Sequence, residues 1–153
     1  MIEAKALWTD HERFIAQAGS GHALAVDAGS EKTASSPIEL VLIGLCACTA
    51  SDVVGILRKK REPMTSLEVL ATAERTDTFP KVFTGIRLIY RVGGNVTHKA
   101  MDDAVRLSKE KYCSVSAMLE KTAKIEHEIE YVGQPLALSA DATGQERMND
   151  PHR

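Results

Sequence analysis

The sequence predicts an α+β fold, in which strands are grouped and do not alternate one by one with helices. Three observations carry this. Residues 1–30 break into short extended segments separated by turn residues. Residues 37–61 read as one long helix, apolar through its first half and opened by strong helix-start signals. Two alternating segments, two helical segments and a final alternating segment follow, an order that a doubly wound parallel sheet does not produce.

Each element has its own justification. Ala4–Trp8, Arg13–Ala18 and His22–Asp27 are the first strands, set apart by Thr9-Asp10-His11-Glu12 and Gly19-Ser20-Gly21. Ser36 is a good N-cap and Pro37 suits the first helical position. Glu39, three residues after Ser36, completes a capping box by reaching back to the cap N–H. Arg58-Lys59-Lys60-Arg61 place cations at the far end, where they complement the helix dipole. The first half of this helix is apolar nearly all round, the pattern of a helix covered on every side. Leu67, Val69, Ala71 and Ala73 alternate in the next strand, and Val82, Thr84, Ile86, Leu88, Tyr90 and Val92 in the one after. The Asp77–Lys81 region connects them as a hairpin. A helix runs from about His98 to Tyr112, with Met101, Ala104, Val105 and Ser108 on one face. A short helix carries Val115, Met118 and Leu119, and Ile125, His127, Ile129 and Tyr131 alternate in the last strand.

Composition narrows the function. The chain has 153 residues, 44% hydrophobic and 26% charged, which fits one globular domain. A net charge of −2 and 5% aromatics exclude a bulk basic surface or a stacking platform, so no nucleic-acid partner is expected. Met1-Ile2-Glu3-Ala4-Lys5 lacks the start of a secretory signal. The apolar run from Ile38 to Ala50 is interrupted by Glu39 and falls short of the roughly 18 residues of a membrane span, so no membrane partner is expected either. A cytoplasmic, reducing setting follows as the expectation. Composition shifts at Gly133, giving a domain over 1–132 and a flexible tail over 133–153.

Three cysteines cannot make a closed disulfide framework. Cys46 and Cys48 lie two residues apart on the long helix, a rotation of roughly 200°, so they face nearly opposite sides. Cys113 opens the short helix, where N–H groups favour a thiolate. Spacing alone leaves three readings open: buried core thiols, a redox pair, or a zinc site of Cys46, Cys48 and a histidine. The last suffers from the mid-helix geometry.

Two segments then resemble the OsmC/Ohr family. One is Ser35-Ser36-Pro37-Ile38-Glu39-Leu40-Val41-Leu42 leading to Cys48-Thr49-Ala50-Ser51-Asp52-Val53-Val54. The other is Tyr112-Cys113-Ser114-Val115-Ser116-Ala117-Met118-Leu119, similar to that family's Cys-Pro-Val-Ser motif except at Ser114. Cys48 follows Pro37 by eleven residues, as the family's helix cysteine follows its proline. The similarity spans about residues 1–132 and is strongest to the YhfA-like branch. The resemblance implies antiparallel sheets wrapped around long central helices in an intertwined, obligate homodimer. It implies thiol-dependent reduction of organic hydroperoxides. On that resemblance Cys48 would attack the peroxide and become a sulfenic acid, Cys113 would condense with it to a disulfide, and an external dithiol would restore both. No cofactor or metal is implied. Peroxidase members carry an acid directly after the proline, where this chain has Ile38. Glu39 is the nearest candidate for that role. Their hairpin arginine falls in the neighbourhood of Arg13, with Glu12 nearer the matching place in register. These departures imply an alternative, a non-enzymatic binding protein holding a small apolar ligand in the dimer-interface cavity. Asp52, one turn after Cys48, would oppose a thiolate if it faces the same pocket.

Overall fold

The computed structural model describes residues 1–133. β1 (Ala4–Asp10), β2 (Arg13–Ala18) and β3 (Ala23–Asp27) pair antiparallel in chain order. α1 (Pro37–Lys59) follows. The Ser36 hydroxyl accepts from the Glu39 N–H at 3.4 Å, and the Glu39 carboxylate accepts from the Ser36 N–H at 2.7 Å. The capping box read from the sequence is therefore formed. The helix ends two residues earlier than its charge run suggested, because Arg61 turns to a φ of 57°.

β4 (Met64–Arg75) and β5 (Phe83–Gly94) make a long antiparallel hairpin. Leu67, Val69, Ala71 and Ala73 stand opposite Val92, Tyr90, Leu88 and Ile86, so the alternating residues of both strands share one face. A register shift at Glu74–Arg75 breaks that phase near the start of β5. Phe83 therefore turns inward, while Val82 and Thr84 are exposed. At the other end, Gly94 has a φ of 99°, and a Cβ there would lie 2.2 Å from the Pro63 carbonyl oxygen. Only glycine fits that crossing of the hairpin ends.

α2 (His98–Leu107) buries Ala100, Met101, Ala104 and Val105. The sequence predicts this helix to run on to Tyr112. Instead it widens at Ser108 into one π turn (Ser108–Tyr112), closed by the Cys113 N–H donating to the Ser108 carbonyl at 2.8 Å. α3 (Ser114–Leu119) and β6 (Lys124–Val132) complete the fold, with β6 parallel to β5. Parallel neighbours need a crossover, and α2, the π turn and α3 supply it. The implied antiparallel pairing thus holds for β1–β2–β3 and for β4–β5, while β6 makes the second sheet mixed.

α1 packs on β4 on one side and on the crossover on the other. Leu45, Thr49, Val53 and Leu57, one row at four-residue spacing, are its buried residues. Its length, and a mean hydropathy of 2.2 over an 18-residue stretch within it, would suffice to cross a bilayer, which the interrupted apolar run had not suggested. Within the protomer Leu45, Val53 and Leu57 join the hydrophobic core, and most of the rest of the helix is not buried. Val41 and Ile43 on α1 stay exposed, as do Leu7, Trp8, Ile15 and Leu24 on the first sheet. One protomer therefore leaves open the apolar girdle that the sequence predicts to be covered. From residue 134 onward, the predicted tail lies outside the described residues.

Candidate functional site

Cys48 lies mid-way along α1, beside buried Thr49. Cys113 is the N-cap of α3, delivered there by the π turn. The two sulfurs and a carboxylate oxygen of Asp52 all lie within 4.8 Å of one another. Cys113 is 2% exposed, whereas Cys48 and Asp52 are half-buried. The Ser116 N–H donates to the Cys113 sulfur at 3.4 Å, as a helix N-terminus should. Burial nonetheless pushes the Cys113 thiol up, the neighbouring Cys48 adds to that rise, and the Ser116 hydrogen bonds offset part of it.

Cys46 is turned away, as the 200° rotation requires. Its thiol rests against the Ala71 backbone of β4, and burial pushes it up. The trio that converges is therefore Cys48, Asp52 and Cys113, and not the Cys46–Cys48–histidine set considered from spacing.

Three buried hydroxyls stand behind Asp52. Tyr90 Oη lies 2.6 Å from Thr49 Oγ1, which lies 2.9 Å from Ser108 Oγ. Ser108 Oγ donates to Asp52 Oδ2 at 2.9 Å. A hydroxyl has one proton, so the directions follow by elimination. Ser108 spends its proton on Asp52 and accepts from Thr49, and Thr49 accepts from Tyr90. Every proton in the chain points toward the carboxylate beside the thiols. Burial pushes the Tyr90 phenol up to about 12, which keeps it a donor. The motif reading missed this chain. The signal was there, since Thr49, Tyr90 and Ser108 are polar residues on the otherwise apolar faces of three elements.

The other two candidates serve local roles. The Glu39 carboxylate accepts from both the hydroxyl and the N–H of Ser36, and these bonds hold it below the usual carboxylate range. Nine residues separate it from Cys48, about 13 Å along the helix. Arg13 grips Asp10 with two hydrogen bonds, at 2.8 and 2.7 Å, and approaches Glu31 at 3.9 Å. Among the described residues, its polar contacts lie within the first sheet and the loop after it. Beside Asp52, a cavity of about 390 Å³ opens between α1 and the crossover, walled by Gly55, Ile56, Leu107 and Tyr112 with Lys59 and Lys60 at one edge.

A thiol pair held between a long capped helix and a β-α-β crossover places the molecule among OsmC-like proteins. The family model described as "OsmC-like protein" matches residues 29–128, and the chain belongs to that family. Within it, the chain falls on the branch of Protein YhfA. It is 41% identical over 132 residues to YhfA of Escherichia coli (strain K12), covering 86% of this chain and 98% of that protein. A crystal structure of a protein from Aquifex aeolicus VF5 shares 29% identity at a TM-score of 0.76, covering 86% and 98% of the two chains. An organic hydroperoxide resistance protein OsmC from Legionella pneumophila shares the fold at a TM-score of 0.65 with 18% identity, over 85% and 96%.

Proposed function

We propose that this protein is a thiol-dependent peroxidase for organic hydroperoxides. The observation that carries the reading is the convergence of Cys48 and Cys113 from two separate elements. Their different exposure assigns the roles. Half-buried Cys48 can meet a peroxide, and Cys113, buried and held protonated, is suited to the second step. The Cys48 thiolate attacks the terminal oxygen, the O–O bond breaks, and Cys48 becomes a sulfenic acid as the alkoxide takes a proton and leaves as alcohol. Cys113 then attacks that sulfur, forming the disulfide and releasing water. An external dithiol returns both thiols by exchange. Asp52, oriented by Ser108, is the nearest acceptor for the proton that Cys48 gives up, and while ionised it opposes the thiolate, as the sequence reading anticipated for a shared pocket. Glu39 is already spent on the helix cap. Arg13 keeps the role implied by the resemblance only if the first sheet of one protomer covers the thiols of another. The name of the Legionella relative supports the substrate class.

The deciding measurement is consumption of cumene hydroperoxide with dithiothreitol as reductant. Wild type consumes peroxide catalytically and Cys48→Ser does not. Equal, negligible consumption by both would sink the reading.

The proposal includes a cytoplasmic setting and a homodimer, the latter because Val41, Ile43, Trp8 and Leu24 remain uncovered in one protomer. Sedimentation of wild type should give twice the protomer mass, and Ile43→Asp should shift it toward the monomer. A monomeric wild type would refute the dimer. A second reading, capture of a small apolar ligand without chemistry, draws on the cavity beside Asp52. It predicts ligand retained on purification with thiols inert to peroxide.

A further inference from the structure

We propose that the reduced site binds one borderline-soft divalent cation, of which Zn²⁺ is the type, through Cys48 Sγ, Cys113 Sγ and a carboxylate oxygen of Asp52. These three donors already lie within 4.8 Å of one another. Ligands of a tetrahedral zinc ion are separated by about 3–4 Å, given metal–ligand bonds of about 2.0–2.3 Å. Small side-chain rotations therefore suffice to close the set. Among the described residues, no other trio of cysteine, histidine or acidic donors converges in this way.

The donor chemistry is selective. Two thiolates favour zinc and its neighbours over magnesium or calcium, which prefer oxygen. Two thiolates and a carboxylate also repel one another, and a dication removes most of that repulsion. Binding breaks two S–H bonds, releases two protons and involves no redox change.

The surroundings are those of a supported site. The Ser116 N–H donates to Cys113 Sγ at 3.4 Å, and Ser108 Oγ donates to Asp52 Oδ2 at 2.9 Å. Thr49 and Tyr90 in turn fix Ser108. Hydrogen bonds of this kind orient ligands and tune a metal. Cys113 is buried while Asp52 lines the open cavity, so the trio has a path to solvent on its Asp52 side. Such a three-ligand site with one open position is not a closed structural one.

Metal and disulfide exclude each other, because each requires both sulfurs. Oxidation by a two-electron thiol oxidant such as diamide forms the S–S bond, moves two electrons to the oxidant and expels the ion. Conversely, a bound ion withholds the attacking thiolate. Only this inhibitory consequence rests on the peroxidase reading; the binding itself does not.

The test uses reduced, metal-stripped full-length protein. Zn²⁺ is titrated against a chromophoric chelator, and Co²⁺ is added separately to look for the near-ultraviolet thiolate-to-cobalt band. One ion per chain is expected, with the band present. Ser108→Ala should weaken binding by about 10–100-fold. Cys48→Ser, Cys113→Ser and Asp52→Asn should weaken it further, and Cys46→Ser should leave it unchanged. One equivalent of diamide should abolish it. Absence of stoichiometric binding, a cobalt spectrum without the band, or binding that survives both Cys48→Ser and Cys113→Ser would each overturn the proposal. Protein that binds zinc but consumes no peroxide would sustain this site and refute the peroxidase, and the reverse result would do the opposite.

Discussion

A Cys113→Ser variant given one equivalent of cumene hydroperoxide, with no thiol added, should gain one oxygen at Cys48 and stop there. Wild type under the same conditions should lose two hydrogens and carry a Cys48–Cys113 bridge, as peptide mapping would show. The difference follows from the geometry. Cys113 is the thiol within reach of Cys48, and Cys46 lies on the far side of α1 against β4. Without Cys113 nothing in the site can condense with the sulfenic acid. Excess peroxide should then drive Cys48 to the sulfinic acid, and activity should not return on adding dithiol. A bridge between Cys46 and Cys48 in the variant would show that the helix does not hold these thiols apart, and the assignment would fall.

The second large effect concerns stability. Thr49→Val should cost about 1–3 kcal/mol, because the buried Tyr90 hydroxyl then has no acceptor. Ser108 keeps its bond to Asp52, so most of the loss belongs to Tyr90. Removing both partners, as Thr49→Val with Tyr90→Phe, should recover part of that loss, since no buried hydroxyl is then left unpaired at that link. Urea unfolding of the four proteins at one matched concentration measures the coupling. Strictly additive losses would mean that the Thr49–Tyr90 bond carries no weight. Because Thr49 also supports Ser108, the single variant should slow peroxide consumption as well, if Asp52 handles the thiol proton.

How much of this was legible in the sequence depends on the range of the interactions involved. The capping box at Ser36 and Glu39 is encoded within four residues, and it formed as read. Rotation along α1 separated Cys46 from Cys48 correctly, because helical geometry is local. The pairing of β4 with β5 followed from alternation, but the bulge near Arg75 did not. It reverses which of Val82 and Phe83 turns inward, and no local residue signals it. The π turn at Ser108 was also invisible, since its sequence suits an α-helix equally well. It widens the chain where Ser108 meets Thr49 and Asp52, contacts that involve residues distant in sequence. The resemblance to the OsmC/Ohr family put Cys48 and Cys113 in one site but was silent on the hydroxyls behind them. It also drew attention to Arg13 and Glu39, whose contacts in the protomer are with near neighbours.

One arrangement described above also bears on how the chain unfolds. Cys48 is on α1 and Cys113 is in the crossover between β5 and β6. A bridge between them would close a loop of roughly 65 residues, and chain-entropy reasoning assigns such a closure about 4 kcal/mol by restricting the unfolded ensemble. The oxidised protein would then be the harder of the two forms to unfold, with no new contact in the folded state. On the peroxidase reading, each redox cycle would raise and then lower the whole domain's resistance to unfolding.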